Sequence, residues 1–379
     1  MRFADIEGQE PIKTRLIRSA KENRISHAQL FVGPEGNGKL ALAIAYAQYL
    51  NCSNRGDMDS CGECKSCKKY QKLVHPDLMF VYPVVKKGSG SVKSADYINE
   101  WVSMFETSSY FSLFMWLSHI GVGNSQGTIY SSESSEIINK LSLKSYESPY
   151  KTIIIWLPEK MQTECSNKIL KILEEPPEKT IFLLVSENPG GLLDTIRSRT
   201  QELDIPKFDK CSIINILLKR SPERDRREIE TIATQCEGNV IIGQQLLGLD
   251  ADINTNADVL NLELFKLLMR AAWKKQWSEL FAWADKFAMQ GRESQKEFLE
   301  YSMNFVRSNF VLNMQEPSIV HCSDEEMDFA SNFSKFINER NVWSFYQEFE
   351  KCHADIQRNG NAKIIFTDMA LKTAKLLRK

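Results

Sequence analysis

The sequence of 379 residues has no apolar run near the roughly 18 residues that a membrane-spanning helix needs. Its opening, MRFADIEGQE, is charged and lacks the apolar stretch of a secretory signal. Both absences predict a cytoplasmic protein with no membrane partner. Net charge is missing too: 48 Lys and Arg stand against 49 Asp and Glu, a formal charge of -1. That balance argues against a free-standing basic nucleic-acid binder, while leaving room for one basic face. Nine cysteines are too few for a disulfide scaffold in a chain this long. What is present is ordinary globular composition, 42% hydrophobic and 26% charged, which excludes long disorder and collagen-like repeats. The length predicts two or three domains.

Four of the cysteines fall together as Cys52-x8-Cys61-x2-Cys64-x2-Cys67. With no secretory signal, this spacing reads as metal ligation in a reducing compartment rather than as disulfides. Each C-x2-C turn places two sulfurs on one metal, and four thiolates suit tetrahedral Zn²⁺ in a closed, structural site. An iron–sulfur cluster or unliganded thiols are the other readings. Cys165, Cys211, Cys236, Cys322 and Cys352 are scattered and are expected to be small core residues.

The order of elements predicts an α/β domain with a parallel sheet. AQLFVG reads as a buried strand, GPEGNGK as a turn and LALAIAYAQYL as a packed helix. LMFVYPVV (78–85), KTIIIWLP (151–158) and TIFLLVS (180–186) read as further strands, and QELDIP (201–206) as a short edge. Residues 164–177 read as a helix with Ile169, Leu170, Ile172 and Leu173 on its core face, stopped by Pro176 and Pro177. Between the second and third strands, residues 84–148 look like an aromatic-rich insertion with helices of its own. Residues 210–219, 225–236 and 239–248 form a small helical bundle. DADINTNAD (250–258) has linker composition, and 259–379 is expected to be helical. Trp273, Trp277 and Trp283 are spaced for one or two helix faces, and most of them are expected in the core.

Gly33-Pro34-Glu35-Gly36-Asn37-Gly38-Lys39-Leu40 fits the phosphate loop G-x-x-x-x-G-K but not its final Ser or Thr. In the full motif backbone N–H groups and the lysine hold phosphate, and the hydroxyl ligates Mg²⁺. Leu40 ligates nothing. The acidic pair of a hydrolytic site should end a later strand. The strand Ile153-Ile154-Ile155 continues instead as Trp156-Leu157-Pro158. Two parts of the hydrolytic machinery are thus apolar. Gly33, Gly36, Gly38 and Lys39 therefore read either as a vestigial nucleotide site or as a tight turn without ligand, and ATP binding is doubtful. Arg199, by itself, reads as a surface charge.

Together these motifs resemble bacterial clamp-loader AAA+ subunits. The resemblance rests on Phe3-x-Asp5-Ile6-x-Gly8-Gln9-Glu10, on Ser26-His27-Ala28-x-Leu30-Phe31, and on GPEGNGK. It rests also on the cysteine module, on His75-Pro76-Asp77, on Lys168-Ile169-Leu170-Lys171-Ile172-Leu173-Glu174-Glu175-Pro176-Pro177, and on Leu192–Arg199. It covers residues 1–250. It implies an AAA+ domain (1–207, with the zinc module at 51–68 and the insertion at 84–148), a helical lid (208–250) and a helical collar (251–379). Degenerate nucleotide motifs beside an intact Ser198-Arg199 resemble the family's non-motor members. In them the arginine reaches in trans into a neighbouring motor subunit's ATP site. The implied partners are motor and delta subunits, the sliding clamp, and primed DNA through the complex. The sequence departs from the pattern at Thr200, where the family has cysteine, and at Gly238-Asn239-Val240, where a sensor arginine is missing. The competing functions are an active AAA+ motor subunit and a stand-alone zinc-containing DNA-binding protein. Leu40 and Trp156 oppose the first, and the pI near 6.6 opposes the second.

Overall fold

The computed structural model describes residues 1–86, 90–122, 125–249, 255–314, 322 and 324–378. They fall into two compact units, one within 1–249 and one within 250–379.

The first unit is built on five parallel strands in the order β2-β3-β4-β1-β5. They are β1 (Ala28–Val32), β2 (Leu78–Val81), β3 (Lys151–Trp156), β4 (Thr180–Ser186) and β5 (Gln201–Asp204). β1 lies in the middle, with Phe31 facing Val185 of β4 on one side and Leu203 of β5 on the other. Parallel neighbours require crossovers, and helices carried by the crossovers cover both faces, so the central strands are apolar throughout. β3 and β4 are buried at every position.

α1 (Glu10–Lys21) starts with Pro11 in its first turn, where the missing N–H costs nothing. α2 (Lys39–Leu50) is buried along its whole length. Its alanines let backbone approach the sheet closely, which a narrow amphipathic stripe would not need. α3 (Lys65–Gln71) follows the cysteines. α7 (Thr163–Glu174) buries Cys165, Ser166, Ile169 and Leu173, and stops one residue before Glu175-Pro176. Leu170 and Ile172, expected on that face, are only half-buried because the 3.6-residue period rotates them to its margins.

The insertion forms α4 (Ile98–Thr107), α5 (Leu113–His119) and α6 (Ser131–Ser142). It packs on its own domain through Trp101. That indole is fully buried, stacked on Tyr82 at 4.0 Å and meeting Phe111, Trp116 and Trp156 at 5.6, 5.1 and 5.5 Å. Trp101→Ala is expected to lower unfolding free energy by about 3–5 kcal/mol, the usual cost of emptying a large aromatic site. Urea unfolding followed by fluorescence checks it, and a change below about 1 kcal/mol would mean that the ring cluster is not a shared core.

After the short α8 (Asp194–Arg197), helices α9 (Lys210–Arg220), α10 (Arg226–Gln235) and α11 (Val240–Leu246) enclose a small core of Ile213, Leu217, Ile229 and Val240. Cys211 is exposed, contrary to the expectation of a core cysteine. It lies on the face of α9 opposite Ile213 and Leu217. Cys322 is half-buried, and Cys165, Cys236 and Cys352 are buried.

The second unit contains α12 (Thr255–Lys274), α13 (Trp277–Ala288), α14 (Arg292–Asn313), α15 (Asp324–Phe333), α16 (Val342–Gln357) and α17 (Ala362–Leu376). Of the expected linker, residues 250–254 lie outside the described residues, and the chain is helical from Thr255. Phe265, Phe287, Phe298, Phe345 and Phe366 are fully buried in its core. Of the three tryptophans expected mostly in that core, only Trp283 is buried, whereas Trp273 and Trp277 are exposed. The phenylalanines fill the centre, and the ends of α12 and α13 carry the indoles outward. No helix among the described residues is long and apolar enough to cross a membrane.

Candidate phosphate loop, cysteine centre and surface arginine

The loop between β1 and α2 sits at the carboxyl ends of the strands, where open parallel sheets bind ligands. Gly36 and Gly38 take φ of +71° and +81°, which side chains with a Cβ rarely adopt. A Cβ on Gly36 would lie 1.8 Å from Asn239 Oδ1, and one on Gly38 would lie 2.8 Å from the Phe208 ring. Both positions therefore need glycine so that the protein's own residues can sit on the loop. The Val240 N–H donates to Gly36 O (3.1 Å), Asn37 Nδ2 to Ile205 O (2.7 Å), and Gln9 Nε2 to Asn37 O and Pro206 O (3.2 and 2.8 Å). Gly33 is as crowded, with Asn37 Nδ2 2.1 Å from where its Cβ would be.

Lys39 has only 4% of its side chain exposed. Its Nζ donates to Glu187 Oε1 (3.1 Å) and to Pro34 O (3.0 Å). The ammonium thus has a carboxylate on it. Glu187 follows the last residue of β4. It is fixed there by Glu159, whose Oε1 accepts the Glu187 and Asn188 N–H groups at 2.9 and 3.1 Å. Burial holds the Glu159 carboxyl above the usual carboxylate range despite those donors. Neither glutamate belongs to a motif visible in the sequence. Glu159 lies three residues beyond Trp156, after the place where an acidic pair belongs.

Tyr110 and Phe111 from the insertion, Trp156 from the end of β3 and Ile241 from α11 line the remaining cleft beside Lys39 and Glu187. The cleft is about half open to solvent. Trp156 occupies the strand end where the acids of a hydrolytic site would stand, with Phe111 5.3 Å from it.

The four cysteine sulfurs all lie within 4.8 Å of one another, with Cys52–Cys61 at 3.5 Å and Cys61–Cys67 at 3.9 Å. A tetrahedral Zn²⁺ with Zn–S near 2.3 Å sets sulfurs about 3.8 Å apart, so the donor set fits the ion. Backbone N–H groups of Cys61, Cys64 and Cys67 point to the sulfurs of Cys52, Cys61 and Cys64 at 3.3–3.4 Å. Amides of Cys64 and Glu63 draw the Cys61 thiol down. Burial would raise Cys64, but hydrogen bonds from Ser53 and the Cys67 amide outweigh it and bring it to about 6. Burial pushes Cys52 and Cys67 up. A bound cation favours the thiolate form of all four and would release their protons. Asp59, within this module, accepts the Phe3 and Ala4 N–H groups (3.1 and 2.8 Å) and ties it to the N-terminal segment.

His75 and Asp77 join the cysteine module to the returning insertion. The Asp77 carboxylate accepts the N–H groups of Tyr146, Glu147 and Ser148 at 2.7–2.9 Å. Burial opposes the charge there, but the three amides outweigh it and hold Asp77 below the usual range. The His75 ring lies 4.6 Å from Tyr70, and its Nδ1 accepts the Asp77 N–H at 3.1 Å. That bond places the proton on Nε2, which faces Ser148 Oγ at 3.0 Å and Glu147 Oε1 at 3.1 Å. Nε2 is therefore a donor to Ser148, not its base, and the group is an anchor.

Arg199 lies beyond α8, its side chain about one-third exposed. Nη2 pairs with Glu174 Oε1 at 2.7 Å, and Nη1 donates to Thr195 O at 2.9 Å. Glu174 ends α7, so two motifs far apart in sequence meet here. At this exposure the pair contributes no more than about 1 kcal/mol to folding, and its consequence is orientation. Arg199 is not among the residues lining the Lys39 cleft.

The model of the family described as "DNA polymerase III, delta subunit" matches residues 8–209. The chain belongs to this family. The matched span holds all five strands of the sheet, and the fold is of the AAA+ α/β class with a C-terminal helical region. The chain is similar to DNA polymerase III subunit delta' of Bacillus subtilis, 29% identical over 214 residues, 56% of this chain and 52% of that one. It is similar to subunit delta' of Yersinia pestis, 32% identical over 189 residues, 49% and 43% of the two chains. It is also similar to subunit tau of B. subtilis, 27% identical over 266 residues, 69% and 39%. The chain thus spans about two-fifths to one-half of these relatives. A solved gamma subunit-related protein of DNA polymerase III from Thermotoga maritima aligns over 97% of this chain and 99% of that one, at 16% identity and TM-score 0.38.

Proposed function

We propose that the chain is a non-hydrolysing, delta'-type subunit of the DNA polymerase III clamp loader. In this reading it scaffolds a ring with motor and delta subunits and donates Arg199 in trans to a neighbour's ATP site. It thereby supports loading of the sliding clamp on primed DNA.

One observation supports the reading: the Lys39 ammonium is engaged within the chain, on the Glu187 carboxylate and the Pro34 carbonyl, beside a cleft lined by Tyr110, Phe111 and Trp156. Leu40 offers no hydroxyl to Mg²⁺, and Trp156 replaces a metal-binding acid. Gly33, Gly36, Gly38 and Lys39 are on this view structural remnants. Zn²⁺ on Cys52, Cys61, Cys64 and Cys67 holds the module closed and has no part in turnover, since four thiolates leave no open position.

An arginine finger stabilises charge on a phosphoryl group in transfer, and it works equally well from a chain with no site of its own. Arg199 suits the role because its guanidinium is held at the surface by the Glu174 carboxylate, the Thr195 carbonyl and the Ser198 hydroxyl, leaving further N–H donors.

The test is ATP hydrolysis and ATP binding by the purified chain alone, with Mg²⁺ and primed DNA. The expected result is turnover indistinguishable from that of Lys39→Ala. Robust turnover abolished by Lys39→Ala would overturn the reading and make the chain a motor.

A further inference from the structure

We infer that one end of the C-terminal helical unit, where the exposed indoles of Trp273 and Trp343 stand among unpaired cations, binds an unstructured single strand of DNA. This contact is separate from the role proposed for Arg199 and does not depend on it.

The patch is assembled from three stretches that are distant in sequence. Trp273, in the last turn of α12, packs its ring 4.6 Å from Phe336. Arg378, just past α17, lies over the same indole at 5.6 Å and donates to the Trp273 carbonyl. Asn341 ties the third stretch in, its Nδ2 donating to Phe336 O (2.8 Å) and Leu376 O (3.2 Å). Two residues on, Trp343 is 64% exposed and nearly parallel to Tyr346, with centroids 5.7 Å apart and planes 8° apart. Each of Trp273, Trp343 and Tyr346 still leaves more than a third of its surface in water, which the core phenylalanines of this unit do not do.

Charge selects the occupant. Arg270, Lys274 and Lys275 flank Trp273. Lys335 and Arg340 flank Phe336 and Asn341, and Lys375 lies one turn before Arg378. All seven of these cations are exposed, and within the same three stretches (270–279, 335–343 and 374–378) only Glu279 and Glu339 oppose them. Among the described residues none of the seven is in an ion pair, although lysines elsewhere in this unit, such as Lys363 and Lys372, are paired. A chain of near-zero net charge has thus gathered unpaired positive charge around exposed rings. That combination matches single-stranded nucleic acid, whose phosphates meet the cations and whose unstacked bases lie on aromatic faces. Bases paired inside a duplex would offer the indoles no face. A purely apolar protein partner would leave the cations without counter-charge.

The probe is a fluorescein-labelled oligothymidylate of about 20 nucleotides, added to the full zinc-replete chain and followed by anisotropy. The expected result is saturable binding that weakens with salt, log K falling by about 0.7 per phosphate contacted for each unit of log [salt]. Trp343→Ala should weaken it about tenfold, the order of one lost base–aromatic stack, while Trp343→Phe keeps most of the affinity. Trp343 is exposed, so both variants should retain wild-type circular dichroism. Lys274→Glu with Lys275→Glu should also weaken binding and flatten the salt dependence. Three outcomes would overturn the inference. One is no saturable binding at about 50 mM salt, where phosphate contacts are strong. Another is an affinity that Trp343→Ala leaves unchanged, with the cations of another surface then responsible. The third is that Trp343→Ala abolishes association with another polymerase III subunit while the wild-type chain ignores the oligonucleotide.

Discussion

Arg199→Ala is expected to slow ATP hydrolysis at the neighbouring site it serves by about 10³-fold or more, the scale of a finger supplied in trans. The measurement is single-turnover hydrolysis by the complex reconstituted with its motor and delta subunits, clamp and primed DNA. Size-exclusion chromatography should show the ring still assembling, because the Glu174 pair it loses is partly exposed and worth little to folding. Arg199→Lys should recover little, since a compact ammonium lacks the planar fork that reaches two oxygens at once. Glu174→Gln is the finer test. It releases the guanidinium without removing it, so the rate should fall much less than in Arg199→Ala. Unchanged turnover in Arg199→Ala would end the finger assignment and leave the arginine as the surface charge that its local sequence suggests.

Removal of the metal is the second large effect. Purified chain should carry about one zinc, and Cys64→Ser or Cys67→Ser should drop this severely, because three thiolates hold a structural zinc much less tightly than four. Cys67 is buried at the heart of the module, with Cys61 Sγ 3.9 Å away, so its loss removes an inner ligand of the set. The expected consequence is local. Residues 52–67 should become protease-sensitive and lose hydrogen-exchange protection, since Asp59 is then no longer held against the N-terminal segment. The sheet core uses none of these sulfurs and should persist, visible as retained circular dichroism. Metal-free chain with unchanged protection over 52–67 would show that the cysteines close the module alone. A coloured, iron-containing preparation would replace zinc by a cluster on the same four ligands.

Much of this was readable in one dimension. The parallel sheet was legible because strands buried on both faces have no alternation to confuse, as in Ile153-Ile154-Ile155. The phosphate loop and its defects were legible because glycine, lysine and the missing hydroxyl are fixed by local offsets, and so was the cysteine quartet, whose ligands lie within one short segment. Arg199 was singled out only through its neighbours in the Leu192–Arg199 motif.

What the tertiary structure decided was everything carried by long-range contact. No spacing rule connects Glu187 with Lys39, 148 residues apart, or Glu174 with Arg199 across β4, a turn and α8. Nor does the sequence show that Tyr110 and Phe111 of the insertion would lie against the loop at Gly38. The tryptophans make the point in reverse. Trp273, Trp277 and Trp283 share one composition and one helical periodicity, yet only Trp283 is buried. Periodicity defines the face of a helix, but which end of that face meets another helix depends on where its partners stop. In this unit the buried phenylalanines fill the centre and leave the indoles at the end of α12 and the start of α13 to water.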